Sequence, residues 1–251
     1  MDSSQPLKLS GFSFKQIENY IRQSPALIIP LGSLEPYGEE IPSGVSSFCC
    51  ESIASALACR LQVLLAPIFH YGCSTPFKAF GGCSGVKSPA LVNSLLDISG
   101  AFLFHGFKKQ IMIDLSFDNK DALGNFLKRI NSKELTVRVF SLHSDERVRS
   151  FLKTDSIRLE SAVLSLAAYL KYPGLPSVPS SDLHIKEDQG AIRRWMKTGK
   201  DPQKLRRMFP GGIVSENAGK YSPGLGAELF GYILRVLEQD FIQFIKPEHA
   251  T

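Results

Sequence analysis

The chain has 251 residues, 43% hydrophobic and 21% charged, a balance that supports a full hydrophobic core and excludes a disordered polymer. Its formal net charge of +5 raises the question of an acidic partner, but no nucleic-acid-binding motif accompanies the basic residues. The longest apolar runs are interrupted too soon to span a bilayer, and the opening MDSSQPLKLS lacks a signal-peptide pattern, so the expectation is a cytoplasmic protein without a membrane partner.

In chain order, Ser13 with Gln16 three residues on forms a capping-box pattern, followed by Ile17, Tyr20 and Ile21 at helical spacing. Short apolar runs then recur: ALIIPLG, QVLLAPI, KQIMIDLS and TVRVFSL, each bounded by turn residues or charges and each the length of a buried strand. Helices are expected between them, at Ser47 to Leu61, Pro89 to Phe107 and Asn119 to Asn131. This alternation predicts a three-layer α/β/α sandwich around a mostly parallel sheet, as one domain over residues 1–251, with ligands gathering beyond the carboxyl ends of the strands.

Cys49, Cys50 and Cys59 fall on the second expected helix, where cysteine acts as a small core residue. With Cys73 and Cys83 they make an odd set without CxxC spacing, so reduced thiols are expected and a metal site built from them is not. The second half reads as a helix from Leu159 to Leu170, the loop KYPGLPSVPSS, a basic stretch, a glycine-rich segment from Gly211 to Gly226 and a last helix from Ala227 to Ile245. In the basic stretch Arg193, Arg194, Lys197, Lys200, Lys204, Arg206 and Arg207 alternate with Trp195, Met196, Leu205 and Met208. A helix with one solvated face accounts for that pattern, and nucleic-acid binding through 193–207 is the lesser reading.

The segment ALIIPLGSLEPYGEEIPSG, Ala26 to Gly44, carries the most specific signal. It resembles the opening motif of the creatininase (creatinine amidohydrolase) family, LPxGSxEQHGPHLPxGTD, through Gly32, Ser33, Glu35, Gly38, Pro42 and Gly44. Tyr37 stands where the family has a ligand histidine, Glu40 where it has a second histidine, and Ser46 where a carboxylate bridges two metals. IDLSFDN, Ile113 to Asn119, is similar to the family's NGHGGN or NGHYEN. There Ser116 replaces a ligand histidine, Asp118 stands for a ligand glutamate and Asn119 is kept. DLHIKEDQGA, from Asp182, resembles HAGExETS: His184 and Glu187 match, Gln189 replaces a glutamate and Lys186 replaces a glycine.

The resemblance implies a dinuclear hydrolase scaffold, whereas the residues present make a poor ligand set, since neutral hydroxyls do not repay desolvation of a divalent cation as carboxylates and imidazoles do. The reading favoured is therefore a family member without the two-metal site, in a binding, assembly or regulatory role. The alternative is an active amidohydrolase of small cyclic amides, with Glu35, Asp118 and His184 catalytic and a weak single divalent metal at Glu35 and Asp118. Either way Tyr37, Glu40, Ser46, Ser116, Glu187 and Gln189 are expected to line a pocket for a small molecule. Each retained residue also has a purely structural role open to it: Glu35 can accept backbone amides, His184 can be a loop histidine, and Asn119 suits a helix N-cap. No GxSxG elbow or phosphate-binding loop is present, and no spacing favours a cysteine nucleophile paired with His70, His105 or His184. The resemblance further implies a closed homo-oligomer, a hexamer among the possibilities, for which Phe102, Phe104, Phe107, Trp195, Phe230 and Phe241 are numerous enough.

Overall fold

In the computed structural model, residues 6–152, 158–176, 201–212 and 221–245 are described. The strands are β1 (Ala26–Leu31), β2 (Leu64–Leu65), β3 (Lys109–Asp114) and β4 (Thr136–Ser141), all parallel, in the order β2-β1-β3-β4. The helices are α1 (Phe14–Ile21), α2 (Val45–Leu61), α3 (Ser88–His105), α4 (Lys120–Arg129), α5 (Glu146–Leu152), α6 (Arg158–Tyr169), α7 (Pro202–Met208) and α8 (Pro223–Ile245). This is the α/β/α architecture expected from the alternation of elements. The second strand is shorter than its apolar run, because Pro67 follows Ala66 and cannot donate to a ladder.

Side-chain alternation along the strands divides the core in two. Ala26 and Ile28 of β1 and Ile111 and Ile113 of β3 face α2, α6 and α8, while Leu27, Ile29, Leu31 and Met112 face α1, α3 and α4. All six residues of β1 are buried, which is why its sequence is a continuous apolar run rather than an alternating one.

Local signals placed the helix ends. Both capping-box bonds at Ser13 are made, and Asp201 caps α7 by accepting from the backbone of Gln203 and Lys204. Of the basic stretch, α7 buries Leu205 and exposes Lys204 and Arg207, while 193–200 lies outside the described residues. All five cysteines are free thiols, and Cys49 and Cys50 are core residues. Among the aromatics considered for a core or an interface, Phe107 and Phe241 are buried, Phe104 is 87% exposed, and Trp195 lies outside the described residues. No helix among the described residues is long and apolar enough to cross a membrane.

Helices α6 and α8 approach so closely that a Cβ at Gly226 would run into the Ser165 carbonyl. The obstacle is backbone and cannot swing aside. Gly226→Ala is therefore expected to destabilise the fold by roughly 2 kcal/mol, a fall in Tm of about 4–8 °C. Unchanged thermal unfolding of this variant would show that the two helices can separate without cost.

Candidate functional site

The carboxyl ends of β1 and β3 deliver two loops to one place. The loop after β1 carries Ser33, Glu35 and Tyr37, all buried. Its course is held by the Glu35 amide on the Ser43 carbonyl at 2.9 Å and by the Ser47 hydroxyl on the Ser33 carbonyl at 3.0 Å. Ser46, in the first turn of α2, donates its hydroxyl to Glu35 Oε2 at 2.5 Å, a short charge-assisted bond. Its oxygen lies 2.8 Å from the Tyr37 hydroxyl. Since Ser46 has one hydroxyl proton and gives it to Glu35, Tyr37 is the donor to Ser46. The result is a directed chain, Tyr37 to Ser46 to Glu35.

The loop after β3 meets this chain from the other side. The Phe117 amide donates to Glu35 Oε1 at 2.7 Å, so each oxygen of this carboxylate has a donor. Ser116 and Asp118 flank Phe117 in the same loop, Ser116 fully within the protein and Asp118 half-buried. Burial raises the pKa of Glu35, with Ser46 and the Phe117 amide the largest opposing influences. Asp118 is pushed up to about 7, by burial first and then by the charges of Glu35 and Asp121.

A second buried carboxylate sets the shape of that loop. Asp114, the last residue of β3, accepts the Ser116 amide at 3.1 Å, the Asn119 side-chain amide at 2.9 Å and the Ser141 hydroxyl at 3.0 Å. Asn119 in turn accepts the Cys73 amide at 2.8 Å. This clamp ties together the ends of β3 and β4 and the segment after β2. Gly72 is required beside it, because a Cβ there would strike the Asn119 amide and the Gly32 carbonyl. Burial pushes Asp114 up to about 6.

Of the residues expected in the pocket, Glu35, Tyr37 and Ser46 bond one another, and Ser116 and Asp118 flank the amide that completes the cluster. Glu40 is exposed on the turn between Gly38 and Ile41. His184, Glu187 and Gln189 lie outside the described residues. Asn119, expected as an N-cap, precedes α4 but makes no side-chain cap bond, because its side chain is used by Asp114 and Cys73. Sequence reasoning missed the clamp and the Phe117 amide; a lone aspartate ending an otherwise apolar strand was the available signal for the first. No thiolate nucleophile is on hand: burial first, then nearby carboxylates, pushes Cys73 up to about 12 and Cys83 up to about 11.

Among the described residues, the donor set does not fit a two-metal centre. A cation placed beside Glu35 would meet the hydroxyls of Tyr37 and Ser46, with the half-buried Asp118 near enough to act on Glu35 by charge, and would compete with donors already on both Glu35 oxygens. Among the described residues no three His, Cys, Asp or Glu side chains are grouped to hold a metal.

Comparison with known proteins places this geometry. The family model described as creatininase, creatinine amidohydrolase, matches residues 11–170. A 3-dehydro-scyllo-inosose hydrolase of Thermotoga maritima is 31% identical over 104 residues, 41% of this chain and 33% of that protein. A mycofactocin precursor peptide peptidase of Mycobacterium tuberculosis is 29% identical over 84 residues, 30% of this chain and 34% of that protein. Each alignment thus spans about a third of the curated relative. A crystal structure of creatininase superposes with a TM-score of 0.72 at 16% identity, over 97% of this chain and 99% of the other. A putative creatinine amidohydrolase from Bacteroides fragilis superposes with a TM-score of 0.67 at 14% identity, over the whole of both chains.

The raised carboxylates give a pH signature. Unfolded, Asp118 titrates near 3.8; folded, near 7. Between these the folded chain holds a proton that the unfolded one does not. The stabilisation is complete below the unfolded value and is lost as pH rises through about 7. Asp118→Asn is expected to flatten the fall in Tm between pH 6 and 8, by a few degrees. Parallel curves for the variant and the unsubstituted protein would contradict the assignment.

Proposed function

The chain belongs to the creatininase family, and from that membership we propose that it keeps the family scaffold while doing without the two-metal centre, in a binding, assembly or regulatory role. The observation carrying this reading is the chain of hydroxyls from Tyr37 through Ser46 to the buried Glu35. A metal hydrolase needs carboxylates and imidazoles aimed at cations so that a bound water becomes hydroxide near neutral pH. Here the corresponding groups are aimed at one another, and the charge of Glu35 is met by hydrogen-bond donors. A small molecule is the expected ligand, held beside Asp118, the carboxylate of the cluster that is only half-buried.

A second reading is hydrolysis of a C–N bond in a small cyclic amide. What favours it is the position of Asp118, only half-buried, beside Glu35 and titrating near 7, where a carboxyl can give or take a proton at neutral pH. Two relatives being named a hydrolase and a peptidase supports the same direction. Turnover of creatinine or another small cyclic amide that disappears in Asp118→Asn would establish it over the first, with or without a single weakly held metal.

The test of metal loss reads stability and composition rather than activity. Elemental analysis of the purified protein is expected to give less than one tightly bound zinc or manganese per chain. Ser46→Asp, which sets a second carboxylate against Glu35, should lower stability by roughly 2 kcal/mol through like-charge repulsion. Zinc or manganese should not restore it. Two metals per chain, or a metal-dependent recovery of Tm in the variant, would reject the reading.

We also propose a homo-oligomer, supported by Phe104, 87% exposed on α3, and by the absence of any charge but Asp97 on that helix before His105. Light scattering is expected to give a multiple of 27.7 kDa. The monomer mass across micromolar concentrations would rule it out.

A further inference from the structure

A second feature stands apart from the Glu35 site. β4 closes the sheet on one side, and among the described residues it pairs with β3 alone. The Thr136 amide reaches the Lys108 carbonyl and the Leu142 amide reaches the Asp114 carbonyl, so even-numbered residues turn their backbone groups inward. By the alternation of a strand, Val137 and Val139 turn theirs outward, to the side on which no described strand pairs with β4. Beside that edge runs a cavity of about 510 Å³, with β4 as its floor, α4 as one wall and α8 as the other. Such an edge, with walls on both faces, is shaped to take one more strand.

We propose that this slot docks an extended segment of a partner protein, added as a strand to β4, with an acidic side chain and an apolar one on the face towards α4. The apolar contact comes from Leu127, which is 41% exposed, together with Leu123 and Val139. Charge selects the acid. Asp145 and Asp240 also line the slot, but both are turned into the Arg147 guanidinium, at 2.7 Å and 2.8 Å. Arg138 is held against α8, its guanidinium 4.8 Å from the Phe244 ring centre and 3.2 Å from the Asp240 carbonyl, so it lies along the sheet face rather than across the edge. Three cations, Lys120, Arg138 and Arg147, and two carboxylates, Asp145 and Asp240, line the slot, which leaves one positive charge in excess, and Lys120 at the start of α4 is the cation with no hydrogen bond or ring contact among the described residues. Residues two apart on an added strand share a face and lie about 6.7 Å apart, which lets one reach Leu127 while a neighbour reaches Lys120. The formal net charge of +5 favours an acidic partner at longer range.

The test uses the full chain and a fluorescein-labelled synthetic peptide, SVSLSES, whose valine, leucine and glutamate share one face. Saturable binding is expected by anisotropy, with affinity reduced at least tenfold for SVSLSKS and abolished for SVPPSES, whose two successive prolines remove an amide on each side of the strand and so a ladder donor in either strand direction. Lys120→Glu should reverse the preference between the glutamate and lysine peptides while leaving the circular dichroism unchanged. Amide exchange at Val137 and Val139 should slow at least tenfold in the complex. Absence of binding, or equal affinity for the three peptides, would overturn the proposal. So would strong protection of the Val137 and Val139 amides in the chain alone: if it weakens on dilution, a second copy covers the edge; if it does not, another part of the same chain does.

Discussion

A carboxylate taken out of water must be met by donors or by a cation, and the active end of this sheet is organised around that requirement at Glu35. Leaving a buried ion unanswered costs several kcal/mol, more than a loop rearrangement, so the surrounding chain conforms to the carboxylate rather than the reverse. The Ser46 hydroxyl and the Phe117 amide supply the two nearest donors, one from the first turn of α2 and one from the loop after β3. Segments far apart in sequence are thereby pinned to one point. Tyr37 adds a second hydroxyl at the end of the chain and is itself fully buried, which leaves little room for a cation to replace the hydrogen bonds.

Asp114 solves the same problem differently. Its carboxylate is equally buried, but its donors come from its own loop, from Asn119 and from the end of β4. The loop that offers the Phe117 amide to Glu35 is thus shaped by a separate charge behind it. Two buried acids in series, one forming the cluster and one forming the loop that completes it, explain why neighbouring glycines such as Gly72 have no space for a side chain.

The fold was legible because its signals are local and repeated. β1 is apolar at every position since both faces are covered, and the helices carry caps or glycines at their ends. The cluster was legible in membership: Glu35, Tyr37 and Ser46 were expected together through the motif that carries them, and they bond directly. Its chemistry was not. Whether a serine near a glutamate donates to it or points elsewhere depends on the turn between them, and whether a backbone amide such as that of Phe117 joins in is invisible in side-chain identity. Glu40 shows the converse. Its place in the motif suggested the pocket, and the turn from Gly38 to Ile41 leaves it exposed, a position that side-chain identity alone does not reveal.

If hydroxyls stand where the resemblance implies imidazoles and carboxylates, the scaffold can still persist, and it superposes on a creatininase of known structure at 16% identity. A metal centre contributes binding energy that holds loops together, and removing ligands one at a time would leave orphaned charges. On the reading proposed above, a serine beside the glutamate would avoid that state, because Ser46 donates a bond to Glu35 where a cation would otherwise sit. The loops would then be held by hydrogen bonds, whether or not a reaction takes place between them. Conservation of loop geometry in this chain is therefore compatible with a changed reaction or with none, and it is the direction of the Tyr37 to Ser46 to Glu35 bonds, more than the fold, that bears on which of these applies.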